Sequence, residues 1–366
     1  GYDASRIAIL KRMADKIWEV NPKAIVILEH FAANAEEQEL ISYGNGMLVW
    51  GNANSTFSEA AMGYNESNKS DFNWASYQKR GFTKPGLVAY MESHDEERQM
   101  FKTETYGNSA GTYNTKDLNT ALKRSQLATT FFMSLAGPKM IWQFGELGYD
   151  ISIDQNGRVG KKPILWQYLD DPERKKLFDV YSAMLQLRTQ FDVFTSGTET
   201  LSVNGAFKKI QLNLNDHNIN LLGNFGTTDQ TVVSGFQHAG TWYEFFTGTE
   251  LSVSDVNATI LLKAGEFRLY SDQKLPAFNV LTTNTSGELT NQGIRIFPNP
   301  ASDRLYVEAQ NIIQQIELIS ADGRILRKLQ PNTSSFSFEL NGLKTGLFFV
   351  RIRTPHQVFT EKIIKN

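Results

Sequence analysis

Two acidic residues stand where a parallel sheet would place chemistry. Glu29 directly follows the short apolar run Ala24 to Leu28, and Asp95 closes Ser93-His94-Asp95 just after the run Leu87 to Met91. Both runs are too short for helices and are flanked by breakers, so they read as buried strands. Carboxylates at the carboxyl ends of alternate strands can point into one pocket, and in parallel barrels that face holds the active site. Such a pair suits cleavage of a glycosidic bond. One carboxylic acid, its pKa raised by burial, protonates the leaving oxygen, while another carboxylate meets the cation-like sugar carbon. In a retaining enzyme the acid and the nucleophile lie about 5–5.5 Å apart. His94, fixed beside a carboxylate, can grip two neighbouring hydroxyls. His30, beside Glu29, can contact the sugar, tune the acid or satisfy a backbone carbonyl. Trp50 closes the predicted strand Met47–Trp50 and offers a face for a sugar ring, as Tyr90 and Trp142 could, although aromatics in such runs also fill cores. Spacing alone leaves other readings open: a Glu after a strand also serves as a helix cap or ion-pair partner, and a His-Asp pair is also structural.

The elements around these residues alternate. Asp3 or Ser5 can cap a helix whose apolar face is Ile7, Leu10, Ala14, Ile17 and Trp18, with Asn21-Pro22 as its stop. Asn34 and Glu37 have capping-box spacing before the next helix, and this accounts for Asn34, Glu36 and Glu37 without a place in the cleft. A helix near Phe57–Met62 follows the second strand. A long helix spans about Asp117 to Leu135, with Leu118, Ala121, Leu122, Ser125, Ala128, Phe132 and Leu135 as its buried stripe. Lys139–Phe144 reads as a fourth strand. Pro172 opens a last helix to Gln190, with Leu177, Tyr181, Met184 and Leu185 inward. Four strand–helix units indicate a parallel sheet with helical crossovers, half of an eight-fold barrel. A doubly wound sheet is the rival, but no glycine-rich phosphate fingerprint follows any strand.

From Phe191 to Asp272 the period changes to two, with strands in KKIQLNLN, NINLLGNF, GTWYEFFTG and KAGEFRLYS, which predicts an antiparallel β-sandwich. Residues 273–293, rich in Thr, Asn and Ser, read as a linker. Residues 294–366 alternate again, with Asp322-Gly323 as a hairpin signal, and predict a second, Ig-like β-sandwich. Net charge over the 366 residues is −2, so no broad basic field for nucleic acid is present. No apolar run approaches the roughly 18 residues of a membrane span. The absence of cysteine excludes disulfides and thiolate metal sites. The chain begins at Gly1, directly before a helix pattern, and reads as a fragment whose N-terminus lies upstream.

AIVILEHF followed by LVAYMESHDEER resembles two signature regions of the α-amylase family of glycoside hydrolases. The first resembles the segment at the fifth barrel strand and puts Glu29 at the general-acid position. The second resembles the seventh-strand segment, where His94 would contact substrate and Asp95 would stabilise the transition state. GPKMIWQFGELG is similar to the eighth-strand segment, with Gly145 and Glu146 in the usual places. The sandwich containing GTWYEFFTG is similar to the C-terminal domain that follows such barrels. The resemblance implies a partial parallel (β/α) TIM-type barrel, its second half at 1–190, an amylase C-terminal sandwich at 191–272 and the linker at 273–293. The family nucleophile is an Asp two residues after an Arg at the fourth strand. Here no strand precedes Asp3 and Gly1 stands in the place of that Arg, so Asp3 reads as a helix cap and the nucleophile is expected upstream, with Asp3, 26 positions before Glu29, as the minor alternative. Calcium is common in the family and possible in the full-length protein, but its usual ligands lie largely outside this chain, and no cofactor is evident.

Residues 294–366 resemble the type A C-terminal sorting domain of the type IX secretion system of Bacteroidetes-like bacteria, through FPNPASDRLYVE, ISADGRIL, LKTGLFFVRI and the basic end EKIIKN. The resemblance implies the secretion machinery as partner, export across the outer membrane, and release or surface attachment. The expected whole is an exported retaining hydrolase of α-glucosidic bonds in starch-like glucans, with this chain inactive alone. Two alternatives stand beside it: a non-catalytic exported glycan-binding or scaffold protein, and an α-glucan transglycosylase or isomerase built on the same carboxylates.

Overall fold

The computed structural model describes residues 1–276, 294–297, 301–321, 323–355 and 358–365. The chain divides into two compact units, Gly1–Thr283 and Asn284–Asn366, and the division falls inside the predicted linker. Most of that linker lies outside the described residues.

The first unit opens with α1 (Ala4–Val20), β1 (Ile27–Leu28), α2 (Asn34–Ser42), β2 (Leu48–Asn52), α3 (Asn54–Met62), β3 (Leu87–Tyr90) and α4 (Gln99–Tyr106). A two-residue hairpin, β4 (Ser109–Ala110) and β5 (Tyr113–Asn114), precedes α5 (Leu118–Ser134), β6 (Lys139–Met140) and α6 (Pro172–Gln190). Strands β1, β2, β3 and β6 form one parallel sheet in that sequential order. Its order has no reversal, the feature that a doubly wound sheet would show.

Local signals account for several boundaries. The Asp3 carboxylate accepts from the amides of Ser5 and Arg6, capping α1. Asp171 caps α6 in the same way ahead of Pro172. The outer strands are shorter than the apolar runs suggest. Only Ile27 and Leu28 of the first run pair, and only Lys139 and Met140 of the fourth.

Several expected faces are corrected. Ile17 of α1 is exposed, and with Ile9, Met13 and Val20 it forms a second apolar stripe away from buried Ile7, Ala14 and Trp18. Helix α5 is buried on nearly all sides, including Arg124, Gln126 and Thr130, rather than on one stripe. Leu185 of α6 is exposed, and Val180 and Leu187 face inward instead.

The capping box at α2 is also overturned. Ala33 is the N-cap and makes no side-chain cap bond. Asn34 donates to the Arg80 carbonyl at 2.8 Å and accepts from Arg80 Nε at 3.0 Å, while Glu37 takes the Arg80 guanidinium. A long-range clamp has claimed the residues that local spacing assigned to the cap.

The antiparallel part begins with a short α7 (Val193–Ser196). It continues through β7 (Thr198–Ser202), β8 (Phe207–Leu214), β9 (His217–Asn224), β10 (Gln230–Val233), β11 (Gly240–Glu244), β12 (Glu250–Val253), β13 (Thr259–Leu262) and β14 (Phe267–Ser271). A six-stranded sheet ordered β12-β11-β14-β9-β8-β7 accompanies the pair β10-β13. One core runs through both parts, joining Phe57, Phe72, Phe131 and Phe132 to Ile210, Leu221 and Phe225. Buried charges cross the same boundary. The Arg124 guanidinium donates to the carbonyls of Ala60 and Ala61 at the end of α3 and of Phe225 and Gly226 after β9. Lys208 Nζ reaches Ser70 O at 2.7 Å, Ser70 Oγ at 3.0 Å and Val203 O at 2.8 Å.

The second unit contains β15 (Ile294–Phe297), β16 (Arg304–Ile313), β17 (Gln315–Ser320), β18 (Ile325–Leu329), β19 (Thr333–Glu339), β20 (Gly346–Arg353) and β21 (Val358–Lys365). They form two sheets, β15-β16-β19 and β18-β17-β20-β21, around their own core of Leu305, Val307, Leu318, Val350 and Ile352. The predicted hairpin joins β17 to β18 with Gly323 at φ 85°, where a Cβ would be strained. Asp322 lies outside the described residues.

Candidate active site at the sheet rim

Glu29 leaves the carboxyl end of β1, and Asp95 follows β3 after Met91 to His94. One ligating atom each from Glu29, His94 and Asp95 falls within 4.8 Å of the others, and all three side chains are exposed. Residues 66 positions apart thus meet at the same end of a parallel sheet. His94 Nε2 lies 3.6 Å from Asp95 Oδ2.

Trp50, half-buried on β2, stands edge-on to His94 with ring centroids 6.0 Å apart and to Tyr90 at 5.5 Å. Trp142 approaches His94 from the β6 side, at 6.2 Å. Tyr90 is buried and packs as a core residue. Its hydroxyl is pushed up first by burial and then by the charges of Glu96 and Glu29.

His30 does not join this group. Its ring is buried, with Nε2 2.9 Å from Glu36 Oε2 and Nδ1 3.6 Å from Glu37 Oε1. The sugar-contact role considered for His30 therefore does not fit its placement, because its nitrogens face α2. Glu36 and Glu37 are themselves buried on α2. Glu36 is held by Arg6, and its carboxyl is lowered to about 2 chiefly by that guanidinium.

Three residues that local sequence reading passed over support the rim. Glu96 accepts from Asn52 Nδ2 at 2.6 Å, from the Tyr90 hydroxyl at 3.3 Å and from Ser93 Oγ. Asn52 lies two residues after Trp50 on β2, so strand alternation places both on one side of the sheet, and this was the available signal. Glu92 is buried and accepts from the Gln99 amide at 2.7 Å. Burial pushes the Glu92 carboxyl up, as it does that of Glu146. A Cβ on Gly145 would come within 2.8 Å of Glu92 Oε2, so glycine permits the close approach of the loop after β6.

Among the described residues, Glu29, His94 and Asp95 form the one cluster of three acidic or imidazole groups with metal-ligand spacing. Its donor set contains an imidazole, whereas calcium takes six to eight oxygens. The cluster therefore does not fit calcium.

The family model for the secretion system C-terminal sorting domain matches residues 295–366. Karilysin of Tannerella forsythia is 30% identical over 81 residues, 19% of this chain and 17% of karilysin. Among solved structures, an Anoxybacillus α-amylase aligns with 72% of this chain and 56% of its own, at 13% identity and a TM-score of 0.53. CldA, a cyclomaltodextrin glucanotransferase, aligns with 74% of this chain and 54% of its own, at 14% identity and 0.56. The γ-cyclodextrin-type glucanotransferase of alkalophilic Bacillus clarkii covers 97% and 51%, at 11% identity and 0.54. The chain spans about half the length of these solved structures. At such identities the likeness is one of fold: the chain is built like the α-amylase-type glycoside hydrolases and ends in a type IX sorting domain. That domain marks the chain for export to the cell surface or outside. Among the described residues, no helix is long and apolar enough to cross a membrane.

Proposed function

We propose that the intact protein hydrolyses α-glucosidic bonds in starch-like glucans by double displacement with retention. The observation that carries this reading is the convergence of Glu29, His94 and Asp95 at one rim of the parallel sheet. In it Glu29 is acid and then base, Asp95 stabilises the cationic sugar carbon, and His94 grips hydroxyls. Trp50 offers an apolar face beside them. Residues 1–190 act as the second half of an eight-fold barrel, 191–272 as its companion sandwich and 273–293 as a linker. The free edge of β1, with exposed Ile25, Ile27 and Phe31, and the outer stripe of α1 support this organisation, because further strands and helices would cover them. The nucleophile is supplied by residues outside this chain. Asp3 is engaged as the cap of α1, and this chain is inactive by itself.

The test is Glu29→Gln in protein that carries the remaining barrel strands. Removal of the acid should lower turnover of maltooligosaccharides by about 10²–10⁴-fold while sugar binding persists. Near-wild-type turnover would end the assignment, and starch hydrolysis by residues 1–366 that vanished with Asp3→Asn would overturn the upstream nucleophile. One observation favours a second reading. Glu29 is exposed, whereas a proton donor to a glycosidic oxygen works from a shielded place. A protein that binds starch and releases no product would be a glycan-binding module. Transfer products in place of hydrolysis products would mark a transglycosylase.

A further inference from the structure

We propose that Arg158 is a positioning residue for Asp95, brought to the sheet rim by a loop folded around the ammonium group of Lys162. The inference rests on the reading of Asp95 given above. Loop 152–162 leaves the β6 side of the sheet and is tied down at both ends. At its start, Ser152 Oγ and the Ile153 amide donate to the two carboxylate oxygens of Glu97, at 2.7 and 2.8 Å. Just past its other end, the Tyr149 hydroxyl donates to the Pro163 carbonyl at 2.6 Å.

Between these ties the chain turns back on itself. Asn156 and Gly157 adopt positive φ, 60° and 79°. Lys162 Nζ lies among the carbonyls of Gln155 and Gly157 at 2.8 Å, Gly160 at 3.0 Å and Arg158 at 3.5 Å. An ammonium ion has three protons and no acceptor, so it gathers carbonyls much as a bound cation does. The loop therefore carries its own internal cation, and the shape it fixes projects Arg158 toward Asp95.

There Arg158 Nη2 donates to the Asp95 carbonyl. The other side of the same residue is also held: the Asp95 amide donates to Ser93 Oγ at 3.2 Å, and that hydroxyl donates to Glu96. With both of its backbone polar groups bonded, the main chain at Asp95 is held, and with it the point from which its carboxylate extends toward Glu29 and His94. Glu96, held by Asn52 of β2 and the Tyr90 hydroxyl of β3, secures the amide side through Ser93, and Arg158 secures the carbonyl side from the far loop.

The experiment compares Arg158→Met, which keeps length and loses every donor, with Arg158→Lys, which keeps a charged donor group. In protein that turns over maltooligosaccharide, Arg158→Met should lower kcat about tenfold to a hundredfold, the cost of misplacing a reacting group by a fraction of its size. KM should hold at the wild-type value, and Arg158→Lys should regain most of the loss. In the 366-residue chain labelled with 13C-histidine, the ring resonance of His94 should move in the Met variant and return in the Lys variant. An unchanged kcat, an unmoved His94 resonance, or a raised KM with kcat intact would overturn the proposal, the last because Arg158 would then hold substrate. If the wild-type protein turns over no glucan, the hydrolase reading falls, and the His94 resonance alone decides whether Arg158 orders Asp95.

Discussion

Trp50 shows how a single side chain acquires meaning from its neighbours. On β2 it lies between the strands that lead to Glu29 and Asp95, half-buried, its ring edge-on to His94 and Tyr90. In the proposed site a ring so placed would lend an apolar face to a bound sugar while its inner edge packs on Tyr90. Trp50→Ala should weaken maltooligosaccharide binding about tenfold, read by calorimetry on the 366-residue chain, with little loss of thermal stability. Unchanged affinity would remove Trp50 from the site. Residue types and order in AIVILEHF and LVAYMESHDEER made Glu29, His94 and Asp95 legible. Arg158 was not legible, because a loop arginine 63 positions from its acceptor carries no periodic signal.

Between elements, charge does much of the joining. Helix α1 meets α2 through Arg6, whose guanidinium donates twice to the fully buried Glu36 carboxylate, at 2.6 and 3.0 Å. The depressed carboxyl gives the sign of the pH dependence. The folded pKa, about 2, lies below the ordinary 4.5, so the unfolded chain binds more protons between these values. Stability from this pair is complete above pH 4.5 and is lost as pH falls toward 2. Replacing Glu36 with Gln should lower stability at pH 7 and flatten its decline between pH 4.5 and 2, as followed by denaturant midpoints at each pH. An acid limb as steep as in wild type would refute this account. The same helices show why the predicted capping box failed. Asn34 and Glu37 are engaged by Arg80, 46 and 43 positions away, and burial of that guanidinium requires partners more than the helix start requires a cap.

At the scale of the molecule, the two units answer different needs. The second, with its own two sheets and core, corresponds to the sorting domain. Deleting residues 295–366 should leave the chain inside the producing cell, as cell fractionation would show, with the fold of residues 1–276 unchanged by circular dichroism. Export of the truncated chain would overturn that division of labour. Within the first unit the parallel and antiparallel parts share one core and the buried charges Arg124 and Lys208. Burial lowers the Lys208 ammonium to about 7, so this contact draws on its three oxygen partners and the faces of Phe72 and Phe225.

The sequence by itself determined what depends on neighbours along the chain. It determined the starts of α1 and α6, the alternation of the strands in both antiparallel regions, and the two short motifs at the ends of parallel strands. Tertiary structure alone decided which polar groups meet. It turned His30 toward α2, gave Asn34 and Glu37 to Arg80, exposed a second stripe on α1, and brought Arg158 to Asp95. Periodicity records which face of an element is apolar. A buried or bridging charge is satisfied by whatever acceptor the fold delivers, and that acceptor can lie anywhere in the chain.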